Sequence, residues 1–312
     1  MTILVADVGG TNSRLAVASH GKLDVTTIRR FRNADHRSIY HVIEDFRQHQ
    51  HVPAITACTV AMAGPVTAQR AKLTNVDWEI TATGLREATS CRHVLLMNDL
   101  TALGYALGHL PATGLEAISE TTPDGPQNGQ FLVAGLGTGF NVCPVKMTEN
   151  GHAVCVEAEF GHVAPPLGVL RRLEIRFPGE TFRFASVEDC FSGRGLSQLH
   201  ALMAQDAPID AATIFANHAL ARDRNATAAL ELLAELLGVL AREMVLQYLP
   251  LNGLYFAGSV ARGVFDAGFA PVFRQSFADF GRFAPQLGHV PVSVIKDDAA
   301  ALIGCVAASG GS

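Results

Sequence analysis

LVADVGGTNSRLAVA, residues 4–18, is the stretch from which the fold can be read. An apolar run from Ile3 to Ala6 meets Asp7, breaks at Gly9-Gly10, and resumes as alternating apolar residues at Leu15 and Val17. That is the pattern of strand, tight turn and strand. Asp7 falls at the mouth of the turn. Paired glycines let the backbone approach a ligand closely or take positive φ, leaving the N–H groups of Gly10, Thr11 and Asn12 to face an anion. Asp7 would repel a phosphate unless a divalent metal stood between them, so a metal-bound nucleotide is the natural ligand. Taken alone, Asp-x-Gly-Gly also makes an ordinary hairpin turn.

A second copy weighs against the ordinary turn. Residues 131–145 read FLVAGLGTGFNVCPV, so LVAD at residue 4 returns as LVAG at residue 132. An apolar strand again runs into glycines, Gly135, Gly137 and Gly139 with Thr138 among them, and a second strand follows from Asn141. Repetition at this scale implies two similar lobes, each offering a glycine hairpin to a shared cleft. A nucleotide's phosphates would then be held from both sides.

Composition narrows the classes. A chain of 312 residues, 48% hydrophobic and 17% charged, reads as an ordinary globular protein of about two domains. Lys+Arg 24 against Asp+Glu 29 gives a net charge of −5, without the basic footprint of a nucleic-acid binder or a polybasic membrane patch. The lysines, Lys22, Lys72, Lys146 and Lys296, are too scattered to form a phosphate-binding cluster. Cysteines at 58, 91, 143, 155, 190 and 305 form no C-x-x-C pair and read as reduced thiols. With no positively charged leader, and with Ala299–Ala308 too short to span a bilayer, the expected compartment is the cytoplasm.

Along the chain, Leu23–Phe31 continues the meander after a His20-Gly21-Lys22 turn, and Ile39, Val42, Ile43 and Phe46 recur at helical spacing. The strand Ile55–Ala61 ends at Gly64-Pro65, at the sheet edge where ligands gather in α/β folds. Trp78, beside Asn75, Asp77 and Glu79, either packs in the core or stacks on a sugar. The strand His93–Met97 runs into Asn98-Asp99, which can cap the following helix or deliver a carboxylate to deprotonate an attacking hydroxyl. Residues 108–130 read as a domain boundary.

In the second half Glu159 and His162 share a Glu-x-x-His spacing with Glu149 and His152. Gly151, Gly161 and Pro165-Pro166 break the long helices that a di-metal bundle needs, so binding of a polar ligand by Glu159 and His162 fits better. Ser186 can cap a helix with Glu188 and Asp189 in its first turn. Asn225–Tyr248 is the clearest helix, and Pro250 stops it. The strand Leu254–Ala257 meets Gly258-Ser259, where backbone can lie flat against a base or ribose. After a last strand, Val292–Ile295, Asp297-Asp298 is placed to cap the small-residue helix Ala299–Ala308. A G-x-x-x-x-G-K-[ST] loop is absent, and Phe140 stands where a dinucleotide fingerprint needs its third glycine.

As a set, DVGGTN (7–12), NDLTA (98–102), AGLGTG (134–139), Glu159 with Gly161-His162, VEDCFSGRGL (187–196), FAGSV (256–260) and DDAAALIGC (297–305) resemble the ordered motifs of the bacterial glucokinase family, within the actin-like ATPase and sugar kinase superfamily. The resemblance implies an α/β protein of two lobes with RNase H-like topology around a central cleft: residues 1–109 and 294–312 as a small lobe, 110–293 as a large one. It implies that Asn98, Asp99, Glu159, His162 and Glu188 hold glucose, with Asp99 as general base. It implies further that Asp7, Gly9, Gly10, Thr11, Gly137, Thr138 and Gly258 hold ATP with Mg²⁺, Asp7 reaching the metal directly or through water. Asn12 and Gly139 join this set from the turn reading above.

Three residues depart from the family pattern. Phe160 replaces a glycine in the sugar loop, Ser259 replaces the second glycine of the adenosine motif, and Asn141 departs from the sequence usual after the second hairpin. The expected function is ATP-dependent phosphorylation of the glucose 6-hydroxyl. A kinase for another hexose and a non-catalytic sugar sensor are the alternatives, and the oligomeric state, a homodimer included, is open.

Overall fold

The structure is a computed structural model describing residues 2–50, 54–64, 66–73, 77–119 and 125–310. Pro65 and Asn75, named above, lie outside the described residues. The chain is mixed α/β and divides into two compact units, Met1–Gly114 with His152–Cys155 and Asp297–Ser312, and Leu115–Gly151 with Val156–Lys296.

In the first unit β1 (Thr2–Val8) pairs antiparallel with β2 (Asn12–Ser19) and parallel with β3 (Ala57–Met62), which pairs parallel with β4 (His93–Asn98). The period-two pattern sends alternate side chains to opposite faces. Leu4, Ala6, Val8 and Leu15 pack in one cluster with Ile39, Val42, Ile43 and Phe46 of the helix Ile39–His49, while Ile3, Val5, Ala16 and Ala18 join Ala301, Leu302 and Cys305 of the helix Ala300–Ser309. Trp78, 6% exposed, is core. The meander is shorter than Leu23–Phe31: Asp24 accepts the N–H of Thr26 and caps the 3-10 turn Val25–Thr27, which separates Lys22–Leu23 from Arg29–Arg32. The last helix begins one residue later than expected, without a side-chain cap. Asp297 instead accepts the N–H of Ala299 at 2.7 Å.

The second unit repeats the arrangement. β5 (Gln130–Leu136) pairs antiparallel with β6 (Phe140–Met147) and parallel with β7 (Gly253–Ala257), which pairs parallel with β8 (Val292–Ile295). The helix Arg224–Tyr248 buries Leu230, Leu233, Leu237, Leu240 and Met244, then ends at Leu249 in the left-handed conformation, before Pro250. Among the described residues no two cysteines form a disulfide, and no helix is long and apolar enough to cross a membrane.

Candidate active site

Three adjacent parallel strands of the first unit end together, and their carboxyl ends carry the polar residues. Asp7 on β1 is in register with Ala61 on β3, itself opposite Met97 on β4, so Asn98 and Asp99 follow one step beyond. The Asn98 side chain does two things: Oδ1 accepts the N–H of Leu100 at 2.9 Å, capping the helix Asp99–Ala106, and Nδ2 donates to the Gly64 carbonyl at 3.2 Å. Asp99 Oδ1 accepts the same N–H at 2.8 Å, and among the described residues no hydrogen bond reaches Oδ2. Capping and a place at the carboxyl ends of these strands therefore coexist in this pair.

Burial raises the pKa of Asp99, against the Leu100 N–H, which favours the charged form. Asp7 is pushed up to about 6, first by burial and then by the nearby charge of Asp99, while Arg14 opposes the rise and Asp298 adds to it. Arg14 lies directly across the ladder from Asp7, with Nη1 3.6 Å from its carboxylate and donating to the Asp298 carbonyl at 2.8 Å. Carboxylates thus crowd a corner that one guanidinium only partly neutralises, and a divalent cation beside Asp7 would supply the missing charge. Among the described residues no group of three His, Cys, Asp or Glu side chains could hold a metal ion. Such a cation would have to complete its shell with phosphate oxygens and water, as Mg²⁺ commonly does.

The first glycine turn closes through Gly9 N–H donating to Asn12 O at 3.0 Å. Neither Gly9 nor Gly10 has positive φ, so their use is close approach and not unusual backbone. Asn33, unmarked by any sequence pattern, braces the turn from beneath. It is 2% exposed, its Nδ2 donates to Gly9 O at 2.8 Å, its Oδ1 accepts from Ser13 Oγ at 2.8 Å, and its N–H donates to Thr11 O. Among the described residues the N–H groups of Gly10 and Thr11 have no hydrogen-bond partner, which leaves them as donors for an anion.

In the second unit the turn 137–139 closes through Gly137 N–H donating to Gly139 O at 3.0 Å, and Gly137 O accepts the N–H of Gly193. Gly137 serves the turn itself, while the amides of Thr138 and Gly139 have no partner among the described residues. Gly258 has φ 97°, and a Cβ there would collide with the Leu136 carbonyl, so only glycine can sit against this turn. Ser259 does not disturb that contact: it begins the next helix, its N–H near Gly137.

Glu188 follows Ser186, which closes a capping box with Asp189. It turns toward the glycine turn, where Oε2 accepts the N–H of Phe140 at 3.0 Å and Oε1 accepts from Arg194 at 2.7 Å. Glu159 and His162 are exposed and 3.8 Å apart. Phe160 between them points inward: the residue is 8% exposed and its ring centroid lies 6.3 Å from that of Phe140 and 6.0 Å from that of Tyr248. The bulk expected in the sugar loop is spent on the core. Asp7, Gly9, Gly10, Thr11, Asn12, Asn98 and Asp99 are thus collected in the first unit, and Gly137, Thr138, Gly139, Glu159, His162, Glu188 and Gly258 in the second.

Comparison with known proteins places the chain. The sequence profile of the Glucokinase family matches residues 4–310. A glucokinase of Caulobacter vibrioides is 30% identical over 98% of this chain and 94% of its own length. The crystal structure of a glucokinase from an Antarctic psychrotroph superposes with a TM-score of 0.82 at 26% identity, covering 100% of this chain and 99% of the other. A ROK-family glucokinase from Streptomyces griseus, solved with glucose and AMPPNP, shares the fold with a TM-score of 0.66 at 18% identity, over the full length of both chains.

Proposed function

Because the chain belongs to the glucokinase family, and is therefore a sugar kinase, we propose that it transfers the γ-phosphoryl group of ATP to the 6-hydroxyl of glucose through the residues collected above. The observation that carries this reading is the pair Asp7 and Asp99 at the carboxyl ends of the two strands that flank β3, each carboxylate raised in pKa. Glucose and a nucleotide analogue bound together in a relative of the same fold support the choice of substrates.

Asp99 takes the proton of the 6-hydroxyl as that oxygen attacks phosphorus in line. A carboxylate whose proton affinity is raised by burial is a better base than one in water. Asn98, Glu159, His162 and Glu188 hold the other ring hydroxyls. The free amides of Gly10, Thr11, Thr138 and Gly139 receive phosphate oxygens, with Asn12 completing the first turn and Gly9, Gly137 and Gly258 shaping the approaches. Asp7 would hold Mg²⁺, directly or through water, and the ion would supply positive charge against the phosphates. The two units correspond to the lobes of an RNase H-like kinase: in each, a central strand pairs antiparallel with its hairpin partner and parallel with the strand on its other side.

The test is a coupled assay of ADP release across a panel of hexoses, with and without Mg²⁺. Glucose- and Mg²⁺-dependent release is expected. Glucose binding without release would instead indicate a sensor, and release confined to another hexose would reassign the substrate.

A further inference from the structure

The second hairpin contains an amide where the first contains a guanidinium. Arg14 lies across the ladder from Asp7, and Asn141 lies across from Gly135, the residue that takes the place of Asp7 in the repeat. With no carboxylate opposite it, the Asn141 side chain reaches sideways to the segment carrying Glu159. Its Nδ2 donates to the Ala158 carbonyl at 2.5 Å and lies 3.3 Å from Glu159 Oε2, while Oδ1 accepts the N–H of Phe160 at 2.9 Å. Both backbone neighbours of Glu159, and its carboxylate, are thereby tied to one side chain on the strand that leaves the glycine turn. Only an amide can donate to a carbonyl and a carboxylate while accepting from an N–H, and glutamine would be one methylene too long.

The Glu159 side chain is 75% exposed, and His162 Nε2 lies 3.8 Å from its carboxylate. An unheld glutamate of this kind samples many rotamers and must lose that freedom when a ligand binds. We infer that Asn141 is a positioning residue for the hexose site, pre-setting Glu159 and with it the affinity for sugar. The inference rests on the reading that Glu159 receives sugar hydroxyls.

The experiment compares Asn141→Ala, Asn141→Asp and Glu159→Gln in the full chain, measuring KM for glucose, KM for ATP and kcat from ADP release. Asn141→Ala is expected to raise the glucose KM about tenfold while kcat and the ATP KM stay within about twofold. Asn141→Asp keeps the acceptor for the Phe160 N–H but sets a negative charge against Glu159, so its glucose KM should exceed that of the alanine variant. An aspartate variant matching wild type, or equal losses in both KM values and kcat, would overturn the inference by reducing Asn141 to loop support. Glu159→Gln separates the layers. If it leaves the glucose KM unchanged, the sugar assignment of Glu159 fails and the inference fails with it. If it raises that KM while the Asn141 variants do not, the inference alone is lost.

Discussion

The two glycine hairpins are alike in sequence and differ in what supports them. The first is a charged corner: Asp7, Arg14 and Asp298 meet there, with Asp99 close enough to raise the Asp7 pKa, and a buried amide, Asn33, braces the turn. The second has no carboxylate at the position equivalent to Asp7, and it is shaped by packing, with Gly258 against its carbonyl, Glu188 on the N–H of Phe140 and Asn141 on the segment that carries Glu159. On the proposed function, the two copies of the motif divide the tasks of a phosphotransferase, the first managing charge and proton and the second shape and substrate placement.

The contrast is most exposed to test at Asp99. If the first unit carries the chemistry, Asp99→Asn should lower kcat by about 10²–10⁴-fold while glucose affinity, measured calorimetrically, changes only a few-fold. Retained turnover would remove the distinction between the halves. In the second unit the matching claim is that Phe160 belongs to the core. Phe160→Ala should cost about 3–5 kcal/mol of stability in urea unfolding, and the order of preference across a hexose panel should not change. A changed preference at unchanged stability would return Phe160 to the sugar pocket.

Smaller effects sharpen the first turn. Asn33→Ala strips buried partners from Gly9 O and Ser13 Oγ and is expected to cost about 1–3 kcal/mol, with a higher ATP KM and an unaltered glucose Kd. The smallest effect concerns pH. Asp7 has a folded pKa of about 6, above its ordinary 3.8, so the folded chain binds this proton more tightly. Its contribution to stability is therefore fully present below the ordinary value and falls away as pH rises toward about 6, and urea unfolding of Asp7→Asn between pH 4 and 7 should lack that slope. Since Arg14 holds the Asp7 pKa down, Arg14→Met should move the acid limb of kcat/KM for ATP to higher pH, and an unmoved limb would detach Asp7 from the nucleotide step.

Much of the architecture was legible because it is written in short-range pattern. Period-two alternation around Gly9-Gly10 and Gly137–Gly139, the three-and-four spacing of Leu230 to Met244 and the stop at Pro250 are local properties of the backbone, and the repeat of LVAD as LVAG announced the second hairpin. The place of Asp99 at a strand end was legible from the apolar run His93–Met97 ahead of it, and the capping use that the sequence also allowed is seen in its bond to the Leu100 N–H.

Tertiary structure alone decided the remainder. That Arg14 meets Asp298, that Asn33 lies under Gly9, that Phe160 faces Tyr248 and that Asn141 holds the segment of Glu159 are pairings between residues distant in the chain. A local pattern reports which face of an element a side chain occupies. Which partner it finds there is fixed only when packing brings separate elements together and each buried polar group must be satisfied by whatever has arrived beside it.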